Sequence, residues 1–256
     1  IAELTALFLE RSGILKDGAT IQAGAGGTSL AIAVFLDEIM RKKGWKSKFG
    51  FGGSTKYMVE MLEQGRMDYI LDAQAFDLEA VNSIGNNPKH VPYPVFNAYN
   101  YHAKGNLTSM MDIMILGATE IDLNFNGNVV THSDGYLLHG IGGWQNCLHA
   151  RNVIIPVPLF RDRIPVIVDE VTTLCGPGDL IDVIVTERGI AINPLRKDLI
   201  ESLGNSGLPI KTIGELKAEA EKICGKPAKP EFEEDIVAAI KWVDGTVIDV
   251  VRKLKI

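Results

Sequence analysis

The sequence has little of what several large protein classes require. Its three cysteines, Cys147, Cys175 and Cys224, are too few and too scattered for a disulfide framework or a zinc site. No apolar run approaches the roughly 18–20 residues of a membrane-spanning helix. The net charge is −6, from 32 acidic and 26 basic residues, so a surface for nucleic acid is not expected. We therefore expect a cytoplasmic chain that binds neither nucleic acid nor membrane.

Familiar cofactor motifs are also missing. None of the five histidines belongs to an H-E-x-x-H pair, so no metal site is predicted. The loop Gly24–Gly27 has Ser29 where a dinucleotide fingerprint has its third glycine, and no P-loop Lys-Ser/Thr pair follows. No cofactor bound to this chain is expected. The chain begins at Ile1 without an initiator methionine or a signal-peptide pattern, which indicates a piece of a longer or processed protein.

Two strand–glycine–helix units open the chain and predict its fold class. A strand-like run over 19–23 leads into the first glycine loop and a helix to about Lys43. The second unit has Gly52-Gly53-Ser54 between its strand and helix, and 67–71 is the next predicted strand. This alternation predicts an α/β fold with a mostly parallel sheet and flanking helices.

The second half is predicted to be β-rich and to end in a helix. Residues 77–105 lack a strong period and predict an irregular loop, and 225–230 predict a linker. Helical spacing of Ile236, Ile240, Val243, Val247 and Val251 predicts an amphipathic C-terminal helix over 231–256, packed on one α/β domain formed by 1–230. Apolar runs predict strands over 110–116, 120–125, 129–131, 151–159, 164–168, 183–186 and 190–193, and helices over 197–203 and 213–223.

Two kinds of feature carry the candidate chemistry. Gly24–Gly27 and Gly140–Gly143 expose bare backbone, which serves either as a set of oxyanion donors or for tight packing. Glu120 and Asp122 alternate to one face of a predicted strand, just before a turn signal at 126–128. Paired carboxylates supply a base or a fixed anion, and a solvent-facing acidic pair is the alternative.

The order of these motifs resembles the coenzyme A transferase superfamily and, within it, the citrate lyase alpha subunit family. The similarity covers nearly the whole chain from about Asp17. The superfamily motifs are Asp17–Gly26, the acidic strand ending at Gly127-Asn128, Gly140–Gly143 and Val185–Ala191. The segments that resemble the citrate lyase alpha subunit are Gly50–Thr55, Gly117–Asn126, His132–Gly135 and Trp144–Asn146.

The resemblance implies an acyl transfer. In that family the alpha subunit is a citrate CoA-transferase, which exchanges acetyl for citryl on a coenzyme-A-like prosthetic group and releases acetate. A small acyl carrier (gamma) subunit holds that group, with acetyl-CoA as its free counterpart, and a beta subunit then cleaves the citryl thioester. Such transferases have two similar α/β halves around the active site. This chain resembles the C-terminal half, so an N-terminal half is an expected partner.

The resemblance also implies site residues. Glu120 and Asp122 are the catalytic candidates. The oxyanion or CoA-binding candidates are Gly24, Gly26, Gly27, Gly127, Asn128, Gly140, Gly142 and Gly143. Citrate requires positive charge as well, for which the arginines nearest the motifs are Arg151, Arg161, Arg163 and Arg188. Cys147 beside the second glycine loop is either a nucleophile or a small buried thiol.

Three alternatives stay open at this point. The chain could belong to another carboxylate CoA-transferase or to an acyl-CoA hydrolase of the same superfamily. It could be a non-catalytic half that binds the carrier while its partner does the chemistry. A sugar-phosphate isomerase-like fold has a similar pattern of strands and glycine loops.

We predict that no enzyme-bound thioester forms on this chain during turnover. Superfamily members that form one have a glutamate five residues before the glycine of the Gly-Asn turn, a position held here by Asp122. Glu120 lies two residues farther away, and the citrate lyase branch transfers through a ternary complex. Hydroxylamine or borohydride trapping is expected to yield no adduct at either carboxylate. A trapped acyl adduct on Asp122 would contradict both the mechanism and the family assignment.

Overall fold

A computed structural model describes residues 1–24, 26–102 and 106–255. The chain divides into two compact units, one of Ile1–Leu116 with His149–Pro156 and one of Gly117–Leu148 with Val157–Ile256. The sequence predicts one domain over 1–230 followed by a tail, whereas here a boundary falls at residue 117. Within the described ranges, no helix is both long and apolar enough to cross a membrane.

The described elements alternate early in the chain and are mostly short strands later. The helices are α1 (Ala2–Arg11), α2 (Gly27–Lys43), α3 (Lys56–Glu63), α4 (Leu78–Asn86), α5 (Val95–Tyr99), α6 (Trp144–Cys147), α7 (Lys197–Leu203) and α8 (Ile213–Cys224), with 3-10 turns at Thr108–Met110 and Gly178–Leu180. The strands are β1 (Ile21–Gln22), β2 (Ser47–Ser54), β3 (Met67–Ala75), β4 (His90–Pro92), β5 (Ile113–Ile115), β6 (Glu120–Asp122), β7 (Gly127–Asn128), β8 (Val153–Pro156), β9 (Phe160–Arg161), β10 (Ile164–Pro165), β11 (Ile167–Val168), β12 (Val183–Thr186), β13 (Gly189–Ile192), β14 (Phe232–Lys241) and β15 (Val247–Leu254).

The first unit is built on a parallel sheet. Its strands lie in the order β8-β5-β1-β2-β3-β4, and every neighbouring pair is parallel. Strands β5 and β8 are fully buried, as expected for parallel strands covered on both faces. Helix α1 packs on α2, and α3 packs on β3 and α4. The predicted α/β class, with a mostly parallel sheet and flanking helices, is confirmed.

The first glycine loop leads directly into α2. Gly26 is the N-cap residue of α2, and no side chain caps the helix. The first backbone N–H groups of α2 therefore have no side-chain acceptor at the cap. Gly44 ends the helix in the left-handed region at φ 68°, and Trp45 N donates to Met40 O at 2.9 Å. Ala25 lies outside the described residues.

The second unit consists of small sheets with one long helix against them. Strand β6 pairs antiparallel with β7 and parallel with β11. Strands β12 and β13 form an antiparallel pair, and α8 packs on β10, β11 and β13. A capping box between Thr212 and Glu215 fixes the start of α8.

The predicted C-terminal helix is wrong, because the tail forms the antiparallel hairpin β14–β15. The tail is rich in β-branched residues, which favour strands, and Asp244-Gly245 is a turn dipeptide with Gly245 at φ 93°. Ile236 and Val247 of the predicted buried stripe are 57% and 58% exposed. Asp249 Oδ2 accepts from Leu174 N at 2.6 Å, which ties the hairpin to the second unit. Ile256 lies outside the described residues.

The predicted irregular loop over 77–105 contains helices α4 and α5 and strand β4. Helix α4 contains Asn82, Gly85 and Asn86, whose helix propensity is low, and its start is fixed by an N-cap. Asp77 Oδ1 accepts from Ala80 N at 2.8 Å. Residues 103–105 lie outside the described part of the chain.

Two glycine segments also differ from the prediction. Gly52-Gly53-Ser54 is the end of β2, where the pairing with β3 is irregular and Gly52 has φ 98°. The turn of the hairpin after Asp122 comes earlier in the chain than the predicted turn at 126–128. The turn includes Phe125 at φ 64°, and the return strand starts at Gly127.

We predict that Asp112→Asn destabilises the first unit in a pH-dependent way. Asp112 Oδ2 accepts from Thr20 N at 3.0 Å and Thr20 Oγ1 at 3.1 Å, and Oδ1 accepts from Arg151 at 2.8 Å. Burial alone would raise the pKa of Asp112, but these hydrogen bonds together lower it. A lowered folded-state pKa stabilises above the unfolded pKa, and this stability is lost as the pH falls through the folded pKa. The substitution is expected to cost about 1–3 kcal/mol at pH 7.

Urea unfolding followed by circular dichroism between about pH 7 and pH 3 measures this effect. The difference from the wild type should shrink below about pH 4, where the unfolded carboxyl protonates. Asp235→Asn, on an exposed residue, is the control. A pH-independent difference would show that the charge of Asp112 does not matter.

Candidate active site

Strand β6 carries Glu120 into the interior of the second unit. The residue is 1% exposed. Its Oε2 accepts from Asn128 Nδ2 at 2.7 Å and from Thr172 N at 2.8 Å, and its Oε1 accepts from Thr172 Oγ1 at 3.0 Å. No Lys, Arg or His of the described residues forms an ion pair with it. Neutral donors alone therefore hold this buried carboxylate.

The side chain of Asn128 orients Glu120 and is itself held by hydrogen bonds within the protein. Its second amide hydrogen goes to Thr131 Oγ1 at 2.9 Å, and its Oδ1 accepts from Val130 N and Thr131 N at 3.0 and 3.1 Å. Thr131 Oγ1 lies 2.7 Å from Thr173 Oγ1 and continues the network. Both amide hydrogens of Asn128 are thus used inside the protein. The geometry makes its side chain a positioning group for Glu120 rather than a donor to a ligand.

Asp122 has a different surrounding from Glu120, although both lie on β6. Its Oδ1 accepts from Asn124 N at 2.8 Å and Asn126 N at 3.0 Å, and its Oδ2 accepts from Asn126 Nδ2 at 3.0 Å. Asp122 is also 1% exposed, so the alternative of a solvent-facing acidic pair is wrong for both residues. These hydrogen bonds close the β6–β7 turn, which indicates a structural role for Asp122.

Two cavities of the second unit flank the start of β6. The Glu120 cavity, of about 250 Å³, is lined by Glu120, Ser133, Val168, Asp169, Glu170, Thr172, Glu221 and residues 226–230. The arginine cavity, of about 410 Å³, is lined by Gly117, Ala118, Thr119, Val129, His132, Leu138, His139, Ile141, Trp144 and Arg161. Thr119 and Glu120 line different cavities, as do His132 and Ser133. The two cavities therefore share a wall made of these two short segments.

The candidate glycines divide into a packing position and open positions. A Cβ on Gly127 would lie 2.7 Å from the Trp144 ring, so packing requires that glycine. A Cβ on Gly26, Gly27 or Gly140 would meet no atom within 4 Å. The open glycines are those at which a ligand can approach the backbone; their role in oxyanion binding stays a prediction.

Gly142 is a further open position, since a Cβ there would meet no atom of the described residues within 4 Å, and Gly24 and Gly143 flank the open positions. Gly142 has φ 59° and Gly143 is the N-cap of α6. A Cβ on Gly24 would lie 3.2 Å from Ser29 Oγ. Gly24–Gly27 belongs to the first unit and Gly140–Gly143 to the second.

Cys147 is buried, and burial raises the pKa of its thiol to about 12. A thiol with that pKa is protonated at neutral pH, which argues against a nucleophile. The interpretation as a small buried thiol is confirmed. Among the described residues, no group of three or more His, Cys, Asp or Glu side chains is placed to hold a metal ion.

Thr172 is the site residue that sequence reasoning missed. It gives Glu120 both a backbone and a side-chain donor, yet it lies 52 positions away. The only signal is the polar pair Thr172-Thr173 inside the otherwise apolar run 171–175, just before Gly176. Thr173 is buried and Thr172 is half-buried, so this pair needs hydrogen-bond partners, which points to a buried acceptor.

Comparison with known structures first defines the class of fold. A chain of a Pseudomonas malonate decarboxylase hetero-tetramer in complex with malonate superposes with a TM-score of 0.59 at 16% identity, covering 86% of this chain and 49% of that one. A likeness at this identity shows a shared fold only. This chain and the malonate decarboxylase chain therefore share one α/β fold.

Sequence comparison then defines the family. A family model described as citrate lyase, alpha subunit, matches residues 1–254. The citrate lyase alpha chains of Klebsiella pneumoniae and Escherichia coli are 42% and 40% identical over the whole of this chain and 50% of their own length. A structure described as the alpha subunit of citrate lyase from Streptococcus mutans, in complex with citrate, has a TM-score of 0.97 at 42% identity, covering 100% of this chain and 50% of that one.

This chain belongs to the citrate lyase alpha subunit family. It spans about half the length of the curated relatives it matches. The citrate lyase alpha subunit family, expected from the segments between the ordered motifs, is therefore confirmed.

We predict that Glu120→Gln mainly lowers the catalytic rate, whereas Asp122→Asn mainly lowers the stability of the fold. The amide introduced by Glu120→Gln can keep the two donors on its oxygen and give its N–H to Thr172 Oγ1, so charge is lost with little change of shape. We expect kcat to fall by about 10²–10⁴-fold, the usual worth of a general acid–base or fixed charge, with little change in Tm. The amide introduced by Asp122→Asn must point its N–H groups at a donor of the turn, so Tm should fall and kcat of the folded fraction should change less.

Steady-state kinetics and thermal unfolding of both variants separate these effects. Asp235→Asn, which removes an exposed carboxylate that lines neither cavity, is the control and is expected to keep its rate. A larger rate loss for Asp122→Asn than for Glu120→Gln would reverse the assignment.

Proposed function

We propose that this chain is the citrate-directed half of a citrate CoA-transferase with a coenzyme A transferase-like fold. The reaction is acetyl-carrier plus citrate giving citryl-carrier plus acetate, so one thioester replaces another and no redox partner is needed. The acyl group is held by the coenzyme-A-like prosthetic group of an acyl carrier subunit, which is a substrate of this chain. The other partners are the N-terminal half of the same subunit and the beta subunit that cleaves citryl-carrier, all in the cytoplasm.

The observation that carries this proposal is the buried Glu120 carboxylate beside a cavity. A carboxylate held by Asn128 and Thr172 keeps its position through the reaction, so it acts as a fixed negative charge or a proton acceptor. Exchange between a carboxylate and a thioester passes through mixed-anhydride and tetrahedral species with charge on oxygen. The open backbone at Gly140, which lies in the same unit as Glu120, supplies a suitable donor for that oxygen.

The charges of the two cavities favour a division of substrates. The Glu120 cavity has four carboxylates, Glu120, Asp169, Glu170 and Glu221, against Lys226 and Lys229, and Lys217 pairs with Asp169 and Glu221. An excess of negative charge disfavours the citrate trianion and suits the uncharged thioester end of the prosthetic arm. The carboxylate by which citrate is held therefore belongs on the other side of the shared wall, and the citrate carboxylate that attacks the thioester has to extend past that wall to the acyl carbon.

Isotope exchange with the full-length subunit tests this function. Acetyl-carrier and ¹³C-labelled citrate are incubated with the subunit that contains this chain, and the carrier is analysed by intact-protein mass spectrometry. We expect labelled citryl-carrier and one equivalent of acetate, and Glu120→Gln should suppress both together. Carrier that loses acetyl without gaining citryl would indicate a hydrolase. Acetyl-carrier that does not react with citrate, but that exchanges its acetyl group in a parallel incubation with ¹³C-labelled acetate, would indicate another carboxylate transferase.

A non-catalytic carrier-binding half predicts a different result in the same assay. The Glu120→Gln variant would then form citryl-carrier at the wild-type rate. That outcome would overturn the assignment of the chemistry to this chain.

A further inference from the structure

The four arginines nearest the motifs have very different surroundings. Arg151 is exposed and paired with Asp112, and Arg163 and Arg188 are both exposed. Arg161 alone of the four is half-buried and lines a cavity. Among the described residues no carboxylate pairs with Arg161. Its guanidinium is therefore a partly buried cation without a counter-ion among the described residues.

The backbone holds the Arg161 guanidinium in a fixed direction. Its Nη2 donates to Ala118 O at 2.9 Å and its Nη1 to Thr119 O at 3.3 Å. A guanidinium has five N–H groups, so further donors remain for a ligand. Burial lowers the pKa of Arg161 from its usual value, and the group still stays charged at neutral pH. This cation is thus tied to the two residues that precede Glu120.

The same hydrogen bonds, with one from Trp144, occupy the carbonyl oxygens that would otherwise repel an anion from this wall. Three consecutive carbonyls, those of residues 117–119, each accept from a side chain at the cavity. Trp144 Nε1 donates to Gly117 O at 2.8 Å, and Arg161 covers the next two. A wall of capped carbonyls beside an unpaired cation is suited to a carboxylate.

The other walls fit the remainder of a small hydroxy-tricarboxylic acid. Val129, Leu138 and Ile141 provide apolar surface for its carbon chain. His132 and His139 line the same cavity and provide imidazole nitrogens for a hydroxyl group or a second carboxylate. The cavity of about 410 Å³ is large enough for a ligand of this size.

We propose that Arg161 is the carboxylate-binding residue that selects citrate as acyl acceptor, in the cavity behind the wall that carries Glu120. This inference rests on the proposed function and goes beyond it by naming one arginine and one cavity. It also explains how acceptor and catalytic carboxylate keep a fixed relation, since the guanidinium and Glu120 are attached to the same short segment, 117–120.

Arg161→Met in the full-length subunit tests the proposal, with Arg163→Met as matched control. Both variants remove one positive charge from the β9–β10 hairpin, but Arg163 is exposed and lines neither cavity. Citrate binding is measured by isothermal titration calorimetry, and KM is measured for citrate and for acetyl-carrier. Arg161→Met should weaken citrate binding by about 10–100-fold, the worth of a charge-assisted hydrogen bond, and raise KM for citrate alone. Arg161→Lys should recover part of the loss, and Arg163→Met should match the wild type.

A second measurement needs no variant and decides the case if Arg161→Met does not fold. Phenylglyoxal modification of the wild-type subunit is followed by peptide mass spectrometry. Citrate should slow modification of Arg161 and leave Arg163 unaffected, whereas acetate at equal ionic strength should protect neither.

Equal citrate affinity in wild type and Arg161→Met, or no protection of Arg161, would overturn this proposal while leaving the proposed function intact. Failure of the wild-type subunit to bind or use citrate would instead overturn the proposed function.

Discussion

A buried carboxylate without a cationic partner is costly, and the candidate site is organised around meeting that cost at Glu120. Moving an isolated ionised group out of water is among the most unfavourable changes in folding. Asn128 and Thr172 offset it with three hydrogen bonds to the two oxygens. The surrounding requirements follow: Asn128 must be held by Thr131, and Gly127 must lack a Cβ so that Trp144 can pack beside the turn.

The same short segment connects this anion with the neighbouring cation. The backbone carbonyls of residues 117–119 accept hydrogen bonds from Trp144 and Arg161 on one side of the segment. The side-chain carboxylate of Glu120 lines the cavity on the other side. Negative and positive groups are thus separated by one layer of backbone and lie in different cavities. This arrangement keeps the guanidinium from neutralising Glu120 and leaves it available to an anionic acceptor. A mechanism without an enzyme-bound thioester needs such simultaneous positioning of both substrates.

The sequence predicts much of the first unit, because the early alternation of strands, glycines and helices and the apolar runs at β5 and β8 are local signals. Strand β4 and helices α4 and α5 were missed because their segment lacks a strong period. The helix end at Gly44 follows from the left-handed conformation that glycine adopts easily. The tail was mispredicted because β-branched residues at helical spacing also suit a strand, and Asp244-Gly245 decides in favour of the hairpin.

The candidate site was only partly predictable. Glu120 stands out by its motif, but Thr172 meets it across 52 positions, and no local pattern encodes such a pairing. The choice among the four arginines likewise depends on burial and partners. Arg161 and Arg163 are two residues apart and carry the same charge, yet only the first lines a cavity.

The most direct test of the central role of Glu120 is a crystal structure of the full-length subunit with citrate and a stable thioether analogue of the acetyl-carrier arm. The account predicts that the arm enters the Glu120 cavity, with its acyl carbon about 3–4 Å from a carboxylate oxygen of citrate and with Glu120 in contact with a bound substrate. It also predicts that Asn128 and Thr172 keep their hydrogen bonds to that carboxylate in the complex. An arm bound elsewhere, with Glu120 still enclosed and touching neither substrate, would contradict the account.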